Sequence, residues 1–292
     1  MTDRDVLNRF VFEHTHVRGE LVHLDATWQA VLSRHHYPPL IRDLLGQAMA
    51  AAVLLSTTLK SGASLTLQLS GDGPLSMLVV QASAARTLRG LAHWREPLPE
   101  DAHLGRLAGR ARLVITLDPG EGKERYQGIV AVEDEASLAD ALSDYFARSE
   151  QLETRLWLAA NGERAAGLLL QALPGGSEDA DAWPRMRHLG STLSEAELLD
   201  LSHREILHRL FHEEDVRLFE AEPVSFRCSC SRQRIENMLR GLGYDEVQGI
   251  LADEGAVQVD CEFCNQQYVF DAVDVEQLFA ASDQPRVPST RH

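Results

Sequence analysis

The chain has 292 residues, enough for a main domain and a smaller companion, and its 44% hydrophobic and 25% charged composition is that of an ordinary globular protein. The longest uninterrupted apolar run, Ala48 to Leu55, is far short of a membrane span, and MTDRDVLNRF is charged where a secretory signal is apolar, so a cytoplasmic protein without a membrane partner is expected. The net charge of −16 is uneven: residues 1–177 carry 17 basic and 21 acidic side chains, residues 178–224 carry 5 and 12, and residues 225–292 carry 6 and 11.

The first regular pattern falls at residues 40–60 (LIRDLLGQAMAAAVLLSTTLK), where Leu40, Leu44, Leu45, Ala48, Met49, Ala52 and Val53 recur at helical spacing. Next, SLTLQLSGDGPLSMLVVQA alternates Leu65, Leu67 and Leu69, breaks at Gly71-Asp72-Gly73-Pro74 and resumes, which predicts a strand pair. No P-loop lysine follows those glycines, so they read as a turn rather than a phosphate loop. A second pair, ARLVITL and YQGIVAVE, is joined by Asp118-Pro119-Gly120-Glu121-Gly122. A third, TRLWLAA and AAGLLLQAL, is joined across Asn161-Gly162. Between the last two, Ser137 with Asp140 three residues on opens a capped helix. Strands in adjacent pairs predict an α+β core rich in antiparallel sheet over residues 1–177. There is no internal repeat.

PGGSEDADAWP (174–184) marks a boundary by its Gly, Pro and acidic content. A helical linker is expected over 178–224, with capping boxes at Ser194/Glu197 and Ser202/Glu205. Its apolar residues include Leu198, Leu199, Leu201, Ile206, Leu207, Leu210 and Phe211. Helices this short are marginal in water, so they must lie against something else. His208 and His212, four apart, fit a solvated helix face better than a metal site, because no H-E-x-x-H pattern contains them. The Glu213-Glu214-Asp215 run reads as a charged helix end, and Trp157 and Trp183 as packing residues.

All four cysteines lie in CSCSRQRIENMLRGLGYDEVQGILADEGAVQVDCEFC, residues 228–264. Short helices are expected over residues 232–240 and 245–253. A β-hairpin follows, with Cys261 and Cys264 at its turn and Asn265 suited to a left-handed position. Clustered cysteines in a cytoplasmic protein more often bind metal or do redox chemistry than form stable disulfides. Zinc takes four N or S ligands in a tetrahedron, and no histidine occurs between His212 and His292. The expected ligands are therefore Cys228, Cys230, Cys261 and Cys264, a closed site that staples a domain of residues 225–280 too small to be secure alone. Residues 281–292 are expected to be a flexible tail.

The C-x-C half is unusual. Two positions of extended chain span roughly 6.6 Å, near the upper limit of Cα separation for a disulfide, so Cys228 and Cys230 bond only if the backbone bends. The spacing permits two states, zinc-bound and reduced or zinc-free with local disulfides. A thiol-disulfide oxidoreductase and a zinc-ribbon nucleic-acid binder are the competing classes. The first is disfavoured by a C-x-x-C at a hairpin rather than a helix start. The second is disfavoured by local negative charge. No nucleophile–base arrangement points to an enzyme.

YPPLIRDLLGQAMAAAVLLSTTLK, SLTLQLSGDGPLSMLVV, DPGEGKERYQGIV, LADALSDYFARSEQLETRLWLA, HRLFHEEDVRLFE and the C-S-C…C-E-F-C tail together resemble the 33-kDa heat-shock protein family, the redox-regulated molecular chaperones of bacteria. The resemblance covers nearly the whole chain. It implies an ATP-independent holdase, inactive when reduced with one zinc ion per chain, and active once oxidation releases zinc and joins Cys228 to Cys230 and Cys261 to Cys264. It further implies unfolding client proteins as partners and a homodimer on activation. Loss of zinc would unfold the small domain and deprive the linker of support, so Leu198, Leu199, Ile206, Leu207, Leu210 and Phe211 are the expected client-binding residues.

Overall fold

The computed structural model describes residues 4–100, 104–120, 123–132, 136–175 and 179–280. Contacts divide the chain into two compact units, Met1–Arg227 and Cys228–His292. The architecture is α+β with largely antiparallel sheets, as the paired strand signals lead one to expect.

The organising element of the first unit is the Pro39–Leu55 helix. Proline opens it at a position where the missing N–H costs nothing, and the alanine-rich run favours helix throughout. Because Ala, Leu, Met and Val recur around nearly its whole circumference, it is buried almost all round. It packs against strands of two six-stranded sheets. One sheet runs Val216–Leu218, Val6–Phe12, Val17–Leu24, Ala165–Ala172, Thr154–Ala160, with Glu222–Pro223 also pairing to Val6–Phe12. The other runs Ser225–Phe226, Thr87–Trp94, Leu75–Ser83, Ser64–Ser70, Arg112–Asp118, Tyr126–Ala131. Among the described residues, only the two-residue Ser225–Phe226 strand is parallel to its neighbour.

All three expected hairpins form. The Gly71–Pro74 break is a turn, as expected. A Cβ on Gly71 would stand 1.8 Å from the carbonyl oxygen of Ala108, so glycine is required by the approach of that backbone. Glu121 and Gly122 of the second turn lie outside the described residues. Several elements go beyond the sequence reading: the strands Val6–Phe12, Val17–Leu24 and Thr87–Trp94, and the helices Ala26–Leu32, Leu104–Ala108 and Ala272–Ala280.

The first sheet is buried on both faces. Val22, Leu24, Ala165 and Leu169 face the central helix, whereas Val17, Leu21, Leu168 and Leu170, displaced by one in the pleat, point the other way. That outer face is covered by three helices, Ala182–Gly190, Glu195–Asp200 and His203–Phe211. The expected linker therefore packs within the first unit, and the units divide at Arg227/Cys228. The 174–184 stretch runs into a helix at Ala182, because Pro184 sits in its first turn, where proline is tolerated. The expected 177/178 boundary and the tail of 281–292 fall outside the described residues.

Both linker capping boxes are present as reciprocal side-chain and backbone bonds. At nine, six and nine residues, the three helices are too short to hold alone. Burial does the holding: Leu198, Ile206, Leu207, Leu210 and Phe211 are buried, each contributing about 1.5–3 kcal/mol of apolar transfer. Trp157 and Trp183 pack against the same cluster. Arg185, near the start of the linker, reaches Glu214 near its end at 2.7 Å, and also Asp179 at 2.9 Å and Asp181 at 3.2 Å.

The second unit comprises the helices Arg232–Leu242, Tyr244–Glu254 and Ala272–Ala280 and the hairpin Val257–Asp260/Gln267–Phe270. Among the described residues its buried core is six side chains, Leu239, Val247, Val257, Phe270, Val275 and Leu278. Arg232 ties helix to hairpin: its guanidinium lies 4.3 Å from the Phe270 ring centroid and 2.9 Å from Asp274. So small a core leaves the unit dependent on some other support.

Candidate metal centre

Cys228 and Cys230 lie on irregular chain between Ser225–Phe226 and the Arg232–Leu242 helix. Ser231 caps that helix, accepting from the backbone N–H of Arg234. The Arg234 side chain turns back and donates to the Ser229 hydroxyl at 2.6 Å. The small residue inside C-x-C is thus fastened by the helix that follows it.

Cys261 and Cys264 occupy the hairpin turn. The N–H of Cys261 donates to Gln266 O at 3.0 Å, and the N–H groups of Cys264 and Asn265 both donate to Cys261 O, at 3.2 and 2.7 Å. Asn265 closes the turn at φ 57°, the left-handed position expected of it.

The turn and the loop bring the four sulfurs within 4.8 Å of one another, each half-buried. The Sγ of Cys228 is 3.6 Å from that of Cys261, and the Sγ of Cys230 is 3.3 Å from that of Cys264. A zinc ion with bonds of about 2.3 Å to four tetrahedral sulfurs sets them about 3.8 Å apart. The donors present therefore fit such an ion. Among the described residues, this is the one group of three or more Cys, His, Asp or Glu side chains close enough to share a metal. His208 and His212 instead stack on each other, with ring centroids 5.8 Å apart.

The electrostatics agree. Burial, followed by the neighbouring sulfurs, pushes the Cys264 thiol up to about 12, and burial also raises that of Cys261. Thiolates crowd one another here unless a cation neutralises them. Tyr268 donates its hydroxyl to the Cys230 sulfur at 3.2 Å, and that bond, ahead of burial, pushes the phenol up to about 12. Neither Tyr268 nor Arg234 carries a spacing signal in the sequence; both are found only by their place around the sulfurs.

The six expected client-binding residues belong to the linker, in the first unit. Leu198, Ile206, Leu207, Leu210 and Phe211 are buried against the first sheet, and Leu199 packs at the margin of the same cluster. As folded, they form a sealed layer rather than an exposed surface.

The sequence model of the Hsp33 protein family matches residues 5–271, a span that includes all four cysteines. The chain is 52% identical over 292 residues to the 33 kDa chaperonin of Nitrosococcus oceani, covering 100% of both chains. It is 48% identical over 278 residues to the 33 kDa chaperonin of Methylobacillus flagellatus, covering 94% of each. Its fold matches the crystal structure of a 33 kDa chaperonin (heat shock protein 33 homolog) from Thermotoga maritima with a TM-score of 0.83, over 96% of this chain and 100% of that one, at 23% identity. With the fold, the four-sulfur centre and near-full-length matches in agreement, the chain belongs to the Hsp33 family.

Proposed function

We propose that this chaperone-family protein is an ATP-independent holdase switched by oxidation, with Cys228, Cys230, Cys261 and Cys264 as its sensor. The observation that carries this reading is the convergence of four sulfurs, with no other ligand type, in a unit whose own core is six side chains. Bound zinc would neutralise the four thiolates and contribute on the order of 10 kcal/mol to folding of the small unit. In that reduced state the linker stays docked and its apolar residues are covered.

Oxidation proceeds on the sulfurs themselves. A two-electron oxidant such as a peroxide converts one thiolate to a sulfenic acid, and a neighbouring thiol displaces water to close a disulfide. Two disulfides, Cys228–Cys230 and Cys261–Cys264, consume two equivalents of oxidant, remove all four donors and so release the metal. The small unit unfolds, and the linker that precedes it in the chain is loosened in turn. Leu198, Leu199, Ile206, Leu207, Leu210 and Phe211, with the sheet face they cover, then bind unfolding proteins. The excess of acidic side chains over 178–224 keeps those complexes soluble. Activation is accompanied by homodimerisation, and the protein acts in the cytoplasm.

The test is to measure bound zinc, free thiols and suppression of client aggregation before and after mild oxidation. Expected is suppression by the oxidised, zinc-free form and little by the reduced form. Equal suppression by both removes the redox switch.

A further inference from the structure

Two histidines 180 positions apart meet beneath the linker helices. His23 stands on Val17–Leu24, on the face that the linker covers, and His203 is the first residue of the His203–Phe211 helix. Their ring centroids are 4.5 Å apart, with 8% of His23 and 1% of His203 exposed. Nε2 of His23 is 2.7 Å from the carbonyl oxygen of Leu198, in the preceding linker helix, and must donate to it. Nδ1 of His203 is 2.7 Å from Oδ1 of Asn8. The Asn8 amide donates to Phe219 O at 3.0 Å, which leaves its oxygen to accept from His203.

The pair therefore bridges linker to sheet in both directions while each ring is neutral. A proton added to either ring puts a charge on a buried group beside a second imidazole, in the layer whose apolar cluster includes Phe10, Leu21, Ile206 and Leu210. The charged groups on the elements packed around the pair have partners of their own. Asp200 is engaged by Arg164 at 2.9 Å, Asp25 by Arg4 at 3.3 Å, and Glu197 by Arg209. Glu205 is bound to the Ser202 cap, and Arg9 pairs with Glu222 at 2.9 Å. Glu20, on the same strand as His23, points to the opposite face and bonds Thr57. The strand residues registered with His23, Val6 and Ala166, are uncharged.

The geometry points to a proton-operated latch: protonation of the His23–His203 pair undocks the linker helices from the sheet. The consequence for client binding rests on the function proposed above, since acid would then open the same surface as oxidation. Burial first, and His23 second, hold His203 well below the ordinary imidazole value while docked. Released into water it returns to about 6.5, so lowering the pH from 7.5 to 5.5 favours release about 10-fold for that one proton.

The experiment is hydrogen exchange on the full, reduced, zinc-loaded chain at pH 7.5 and 5.5, expressed as protection factors so that intrinsic exchange chemistry cancels. Bound zinc and suppression of aggregation of urea-denatured malate dehydrogenase are measured on the same samples. His203→Gln and His23→Gln are run in parallel, each keeping a hydrogen-bonding side chain but no titrating ring. Expected is a fall of about 10-fold in protection over residues 195–211 of the parent chain, and less than about twofold in at least one variant that keeps its pH 7.5 protection. Unchanged protection in the parent overturns the latch. A fall of the same size in both variants also overturns it, because another group then takes the proton; loss of zinc in step with that fall assigns the proton to the thiolates. Opening on oxidation but not on acid removes the latch and leaves the redox cycle standing. Opening on acid without suppression of aggregation keeps the latch and removes the linker as the client-binding surface.

Discussion

The Sγ of Cys230 lies 3.3 Å from that of Cys264, thirty-four positions away in sequence, so the cluster joins the two sequence pairs. Cys228 and Cys261 repeat the arrangement at 3.6 Å. A tetrahedral site requires such contacts between the pairs as well as within them, since neither pair alone surrounds an ion. Oxidation is expected to favour the contacts within each pair. Once the metal is lost and the hairpin loosens, chain connectivity keeps Cys228 beside Cys230 and Cys261 beside Cys264, whereas rejoining the cross pairs means closing a loop of more than thirty residues. That closure costs roughly 2 kcal/mol more. Peptide mapping of the oxidised chain should find the two local disulfides in large excess. Predominant 228–261 and 230–264 links would mean that oxidation occurs inside the folded cluster.

Replacing one sulfur tests the staple. In Cys264→Ser the donor set falls to three, and the six-residue core of the second unit is left to hold residues 228–280. Expected is loss of most of the zinc-linked stability, on the order of 10 kcal/mol, with proteolysis of that unit first and of the linker helices over residues 182–211 next. The apolar cluster around the Pro39–Leu55 helix should keep its melting transition. Retained zinc affinity and protection in the variant would count against the four-sulfur assignment.

Phe211 is the anchor of the linker. Its ring meets that of Phe12 edge-on at 4.9 Å and lies 6.3 Å from that of Phe10, so it joins the last linker helix to the first strand. Truncation to alanine at so buried a site costs about 3–5 kcal/mol, a large share of what docks helices that cannot stand alone. Phe211→Ala should therefore suppress client aggregation while reduced and zinc-loaded, without oxidant. Hydrogen exchange should show the loss of protection in residues 182–211 ahead of the central helix. A variant as silent as the parent, with an undocked linker, would exclude exposure of this layer as the activating event.

The elements legible in the sequence are those whose signals are local. The three hairpins carry their own turns, the capped helices carry Ser with an acidic residue three positions on, and the Pro39–Leu55 helix carries an unbroken helical period. The strands Val6–Phe12 and Val17–Leu24 are hidden because both faces are covered, which removes alternation, and because Arg9, Arg18 and Glu20 interrupt the apolar pattern. Val216–Leu218, Glu222–Pro223 and Ser225–Phe226 are too short to have a pattern and exist because sheet edges offer them partners. The four cysteines are legible because their spacing alone implies a shared ion. The His23–His203 contact is not, since nothing local in either segment points to the other.

Glu20 supplies a separate test of the core through pH. Its carboxyl is buried on the inner face of the first sheet, one oxygen accepting from the Thr57 hydroxyl at 2.7 Å. Burial, against the weaker pull of Arg18 and Thr57, pushes it up to about 7. An acid raised on folding contributes stability that is fully present below its unfolded value, near 4.5, and is lost as pH rises through 7. The loss is on the order of 3 kcal/mol between pH 4.5 and pH 8, with the curve flat above it. His203 acts in the opposite sense below pH 6.5, so the informative quantity is the difference between the parent and Glu20→Gln, in which only one slope is removed. Urea unfolding of the first unit, followed by the fluorescence of buried Trp28, should show the variant gaining on the parent as pH rises from 5 to 8. Parallel pH profiles would mean that the carboxylate stays ionised in the core, held by Arg18 at 3.8 Å.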